Sequence, residues 1–164
     1  MSAGVFQWAG LALRLHDDGG EGLPVVLQHG LTGSVAQIHE SLPPSAGVRR
    51  ITLECRGHGG SEAGDPAHFT IATFADDVIA AIETLGLARV VVGGISMGAA
   101  IASRVAVLRP DLVAGLILIR PAWICAAGPD NMRPNGEVGD LLTRHAPDSF
   151  VHNELRRVAA LSPV

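Results

Sequence analysis

Only two cysteines, Cys55 and Cys125, occur in the 164 residues. Two are too few for a disulfide framework, and a cytoplasmic protein with free thiols is the simplest account. Basic residues are outnumbered as well, 12 against 16 acidic ones, for a formal charge of −4 and a pI near 5.9. They are scattered along the chain. Phosphate binding needs clustered basic side chains, so a nucleic-acid partner is not expected. The densest early pair, Arg49-Arg50, reads as solvated surface. No apolar run reaches the ~18 residues a membrane span needs, so no membrane partner is expected either. The opening residues, MSAGVFQWAG, lack the basic and apolar regions of a signal peptide. There is no low-complexity tract, charge block or internal repeat. No His/Cys cluster has metal-ligand spacing, and neither a metal nor another cofactor is expected.

What the chain does have is apolar residues, 48% of the total, enough for the core of one domain. Val5 to Trp8 and Leu11 to Leu15 read as short strands, close enough to form an antiparallel edge, and the turn-rich DDGGEG follows. PVVLQHG is a short apolar run ending in glycine, as a buried strand does. Ser34 to Leu42 reads as a helix, with Ser34 and Gln37 as a capping box and Pro43-Pro44 as its stop. Val48 to Leu53 is the next strand. Thr73 to Leu85 is the clearest helix. Thr73 and Asp76 suggest its capping box, Gly86 its end, and Phe74, Val78, Ile82 and Leu85 one apolar stripe. RVVVGG reads as a fully apolar parallel-type strand. A helix from Met97 to Arg109 buries Ile101, Val105 and Leu108, and GLILI is one more buried strand. Strands alternating with helices predict an α/β layer fold with a mainly parallel sheet. Beyond Trp123 the pattern changes to a loop, GPDNMRPNG, and two amphipathic helices at 136–145 and 149–161.

The chemical signal is Gly94-Ile95-Ser96-Met97-Gly98, a G-x-S-x-G pentapeptide. With 20 glycines in the chain, chance supplies roughly 0.13 such matches, so the pentapeptide alone is weak. Its context is strong, because it joins an all-apolar strand to an apolar-striped helix. A serine at so sharp a turn is held in a strained conformation with Oγ exposed, beside the free N–H groups and positive dipole of the helix start. The flanking glycines are needed because side chains there would collide with the neighbouring strand and helix. A second segment, His29-Gly30-Leu31-Thr32-Gly33, follows a buried strand and can aim a backbone N–H at a developing oxyanion. The Leu31 and Met97 N–H groups are the natural pair of donors. The His29 side chain reads as a structural histidine bonding within its loop.

His29-Gly30, then Glu54-Cys55-Arg56-Gly57-His58-Gly59-Gly60-Ser61, then Gly94 to Gly98, in that order, resemble the three landmark motifs of the α/β-hydrolase superfamily. The middle segment resembles the family's D-x-R-G-x-G-x-S stretch, with glutamate in place of the usual aspartate. The resemblance covers about residues 5–124 and points to the serine-nucleophile branch, similar to capped esterases, lactonases and C–C hydrolases. It implies a core over 1–124 that lacks the last strands and a partial helical cap over 125–164. It also implies a small-molecule acyl substrate and a triad in the chain order serine, acid, histidine. The expected positions of the acid and the histidine lie beyond the cap, outside this sequence. His145 and His152 fall on cap-like helices, His58 precedes the serine, and His68 reads as solvent-facing. Two readings follow. One is a serine hydrolase acting on an ester, thioester, lactone or C–C bond, incomplete as written. The other is a catalytically incomplete small-molecule binding protein. An exposed sheet edge after GLILI would favour homo-oligomers.

Overall fold

A computed structural model describes residues 2–122 together with Arg133, Glu137 and Asp140. The chain divides into two units, Met1–Ile124 and Cys125–Val164, and the sheet belongs to the first. The expected helical cap falls almost wholly outside the described residues. Of it, only Arg133, Glu137 and Asp140 are described, and all three are helical, Arg133 within the stretch expected to be a loop.

The described residues of the first unit form six strands and three α-helices, besides two short 3-10 turns: β1 (Ser2–Trp8), β2 (Leu11–Asp17), β3 (Leu23–Gln28), α1 (Val35–Ser41), β4 (Val48–Leu53), α2 (Ile71–Thr84), β5 (Val90–Ile95), α3 (Met97–Leu108) and β6 (Val113–Ile119). The sheet order is β1-β2-β4-β3-β5-β6. β1 and β2 form the expected antiparallel edge through a two-residue turn, Ala9-Gly10, with positive φ at both positions, which matches the twist of the strands it joins. β2 also runs antiparallel to β4, whereas β3, β4, β5 and β6 are mutually parallel. The RVVVGG strand lies beside the PVVLQHG strand, as expected. Both faces of the central strands are covered, which is why they read as unbroken apolar runs. One face carries Val26, Ile51, Leu53 and Val92 against Phe74, Val78 and Ile82 of α2 and Ile101 and Val105 of α3. The other packs Val25, Leu27 and Ile95 against Ile38 of α1.

Several local expectations are corrected. The cap of α2 is Thr70, whose side chain accepts the Thr73 N–H at 3.1 Å; Thr73 and Asp76 do not form a capping box, because the helix starts a turn earlier. Ser34 caps α1 by accepting from Ala36, and Gln37 turns elsewhere. Arg49 and Arg50 are not solvated surface. Arg49 pairs with Asp17 at 2.6 Å, and Arg50, which is buried, pairs with Asp18 at 2.6 Å and donates to Leu42 O. Leu108 is exposed. GLILI is not buried: Leu116 to Ile119 are each 37–44% exposed, because β6 is the edge strand among the described residues. No helix among the described residues is long and apolar enough to cross a membrane.

Candidate active site

Ser96 joins the last residue of β5 to the first of α3 with φ 54° and ψ −108°, a conformation that L-residues rarely adopt and that costs on the order of 1–3 kcal/mol. The surroundings enforce it. The Ser96 N–H donates to Ile119 O at 2.9 Å, and its carbonyl accepts from Ala99 at 3.1 Å and from Ala100 and Ala122 at 3.4 Å. The hydroxyl does not cap the helix, and among the described residues it makes no hydrogen bond. The glycines do what the sequence required of them. A Cβ on Gly94 would strike the Gly98 backbone and lie 2.7 Å from Gln28 O. A Cβ on Gly98 would strike Gln28 O and lie 2.8 Å from His29 O. The two glycines therefore let strand, helix and the end of β3 meet at van der Waals distance.

That closeness brings the second motif to the first. Gln28 is in register with Gly94, and a Cβ on Gly30 would sit 3.4 Å from the carbonyl of Ile95, the residue before Ser96. His29 is fully buried, with both ring nitrogens engaged. Nδ1 lies 2.9 Å from Gly30 O, and Nε2 receives the Cys55 N–H at 3.1 Å. A carbonyl only accepts and a backbone N–H only donates, so the ring is the neutral Nδ1–H tautomer. The Gly33 N–H also donates to Gly30 O, at 3.0 Å, closing a turn in which Thr32 has φ 60°. Gln37, read from the sequence as half of a cap, accepts the Gly30 N–H at 2.7 Å. The expected oxyanion donors, the Leu31 and Met97 N–H groups, lie in these two turns. Met97 opens α3, so its N–H has no acceptor within the helix. Neither it nor the Leu31 N–H donates to a protein acceptor among the described residues.

Burial lowers the His29 pKa and the nearby His58 ring adds to this, while the bond to Gly30 and the charge of Glu54 oppose it. A protonated ring would also turn an N–H toward the Cys55 N–H. Stability from this contact is whole above the ordinary imidazole value of about 6.5, and is lost as pH falls from there through the lowered folded value. Urea titrations at several pH values should show this loss beginning near pH 6.5, and His29→Gln should remove that part of the pH dependence.

The loop after β4 is a buried polar frame. The Glu54 carboxylate accepts from Gly60 at 2.7 Å and from Val35, at the start of α1, at 2.9 Å. Burial pushes its pKa up, but those two N–H donors, with His16 and His29, outweigh it and hold the carboxyl below its usual range. Gly59 is pressed against that carboxylate, and its φ is +53°. Arg56 makes two hydrogen bonds to Asp77 of α2, at 2.8 and 2.7 Å, with both side chains buried. Asp77 was missed in the sequence, although an acidic residue beside the apolar stripe of α2 is the signal for such a pair. Asp77→Ala should cost about 3–5 kcal/mol in urea unfolding, since it leaves the Arg56 charge buried and unpaired. His58 Nδ1 bonds Arg56 O at 2.9 Å, and its ring packs 4.9 Å from that of His29. His68 is exposed in a short turn. His145 and His152 lie outside the described residues. No group of side chains among the described residues could hold a metal ion.

The family model described as "alpha/beta hydrolase fold" matches residues 24–151. The chain is 40% identical over 107 residues to a Mycobacterium tuberculosis protein named "Putative non-heme bromoperoxidase BpoC". It is 37% identical over 105 residues to the (E)-2-((N-methylformamido)methylene)succinate hydrolase of Acinetobacter baylyi. Each alignment covers 63% of this chain and 40% of the relative, so the chain spans well under half the length of these proteins. Among solved structures it resembles the N-acyl homoserine lactonase AidH complexed with N-butanoyl homoserine, with a TM-score of 0.67 and 26% identity over 74% of this chain and 45% of that one. With the first motif packed against the elbow, the middle one bonded to it through Cys55 and His29, and the sheet order that surrounds them, the chain belongs to the α/β hydrolase fold family.

Proposed function

We propose that Ser96 is the nucleophile of a serine hydrolase acting on a small acyl substrate through an acyl-enzyme. Its Oγ attacks the carbonyl, and the Leu31 and Met97 N–H groups hold the oxyanion as the C–O bond forms. The observation that carries this reading is the backbone of Ser96. A strained φ of 54°, enforced by two glycines that admit no side chain, presents a hydroxyl that makes no hydrogen bond among the described residues. Strain kept where the side chain holds nothing together points to chemistry. Esters, thioesters, lactones and activated C–C bonds all suit such a site, and the names of the hydrolase and lactonase relatives agree with that range.

Attack requires a base, because the hydroxyl loses its proton as it adds to the carbonyl. His29 cannot serve, since both ring nitrogens are committed. We assign the base and its acid to residues outside the described part, in the order serine, acid, histidine. The test is labelling by a fluorophosphonate probe together with turnover of p-nitrophenyl acetate and butyrate. The natural protein should label at Ser96 and turn over both esters. Absence of labelling at Ser96 in a folded natural protein would favour a binding protein built on the same fold.

A further inference from the structure

The peptide between Gly30 and Leu31 is gripped from both ends of its neighbourhood. Its carbonyl, Gly30 O, takes two donors, the His29 Nδ1–H at 2.9 Å and the Gly33 N–H at 3.0 Å. The N–H of the preceding peptide, on Gly30, is held by Gln37 Oε1 at 2.7 Å. A trans peptide is planar, with its C=O and N–H pointing in opposite directions. Two donors that fix where Gly30 O points therefore also fix where the Leu31 N–H points. The carboxamide of Gln37 is admitted by a glycine: a Cβ on Gly33 would lie 2.7 Å from Gln37 Oε1. On the other side Gly30 rests against Ile95 O, next to Ser96. The grip thus sits where the β3–α1 loop touches the elbow.

From this geometry we propose that Gln37 is a positioning residue. Acting with His29 through the Gly30–Leu31 peptide, it aims the Leu31 N–H at the carbonyl oxygen that Ser96 attacks. The proposal rests on the reading of Ser96 given above. Gln37 touches no substrate. It restrains the rotation of the Gly30 backbone, which otherwise has the freedom of a residue without Cβ. His29 supplies the second restraint, and its ring is itself locked by the Cys55 N–H. A turn that carries Thr32 at φ 60° stores strain, and without such restraints it relaxes by rotating this peptide.

The experiment uses the natural protein and compares esters with the matching thionoesters, in which sulfur replaces the carbonyl oxygen and fits an oxyanion site poorly. Gln37→Met keeps the length of the side chain and loses the acceptor. It should lower kcat on the ester about tenfold to a hundredfold, less than the ~10²–10³ that follows complete removal of one oxyanion donor. KM should stay nearly constant, and the ester-to-thionoester ratio should fall. Gln37→Glu, which retains an acceptor oxygen, should restore part of the rate. A purely structural role would lower the folded fraction without moving the ratio. If Gln37→Met does not fold, Gln37→Asn carries the same expectation, because its carboxamide stops one methylene short of Gly30. An unchanged kcat and an unchanged ratio in a folded variant, while Ser96→Ala abolishes turnover, would overturn the role of Gln37 alone. Turnover that survives Ser96→Ala would overturn the reading of Ser96 and this proposal with it.

Discussion

Ser96→Ala in the natural protein should lower kcat on p-nitrophenyl butyrate by on the order of 10⁶-fold, the cost of removing the nucleophile from a complete triad. The fold should be untouched or slightly steadier. The Ser96 hydroxyl makes no hydrogen bond among the described residues, so its loss strands no partner. Fluorophosphonate labelling should vanish in the same variant. No base among the described residues engages the hydroxyl, so within the 164 residues any base must come from 123–164. Without one, only the ~10³–10⁴-fold assistance of binding and oxyanion stabilisation remains. Vigorous turnover by the 164 residues, lost in Ser96→Ala, would place a base among residues 123–164. His145 and His152 are then the first side chains to replace. Turnover in the natural protein that does not depend on Ser96 would refute the assignment.

Gly98→Ala should damage the fold more than any other single methyl group added near the site. The new Cβ would meet the Gln28 carbonyl, with its carbon at 2.6 Å and His29 O at 2.8 Å, and all of these atoms are backbone. A flexible side chain could swing aside, but β3 cannot, since Gln28 is hydrogen-bonded in register with β5. Overpacking against mobile neighbours costs about 1–3 kcal/mol, and this contact should exceed that range. Gly94→Ala should follow closely, because its Cβ would strike Gly98 and press on the same Gln28 carbonyl. Gly4→Ala, in open space on β1, is the control and should change stability little. Chemical denaturation would decide the matter. If Gly98→Ala unfolds at the wild-type midpoint, the packing of the elbow against β3 is wrong.

Much of this was legible in the sequence because the signals are local. An apolar strand running into G-x-S-x-G needs only neighbours in sequence to form its turn, so the position of Ser96 follows from the chain itself. The same holds for the stripe of Phe74, Val78 and Ile82 on α2, and for the alternation of strand and helix that yields a parallel sheet. Helix starts were less legible. Thr70 and Thr73 are both good caps, and their choice depends on where α2 meets the sheet.

The remaining features depend on partners distant in sequence. Arg50 reads as a surface charge until the β2–β3 turn brings Asp18 to it. Asp77 reads as a polar break in an apolar helix until the loop after β4 lays Arg56 across it. GLILI reads as buried, yet it stands exposed, because burial of a strand is decided by its neighbours in the sheet and not by its own composition. The sequence by itself determined the fold family, the elbow and the identity of its serine, since each is written in contiguous residues. Only the tertiary structure decided that Gln37 holds Gly30, that His29 is locked as one tautomer and that Glu54 ties the loop after β4 to the start of α1. Those are contacts of polar atoms across folded elements, and a hydrogen-bond partner is chosen by distance in space.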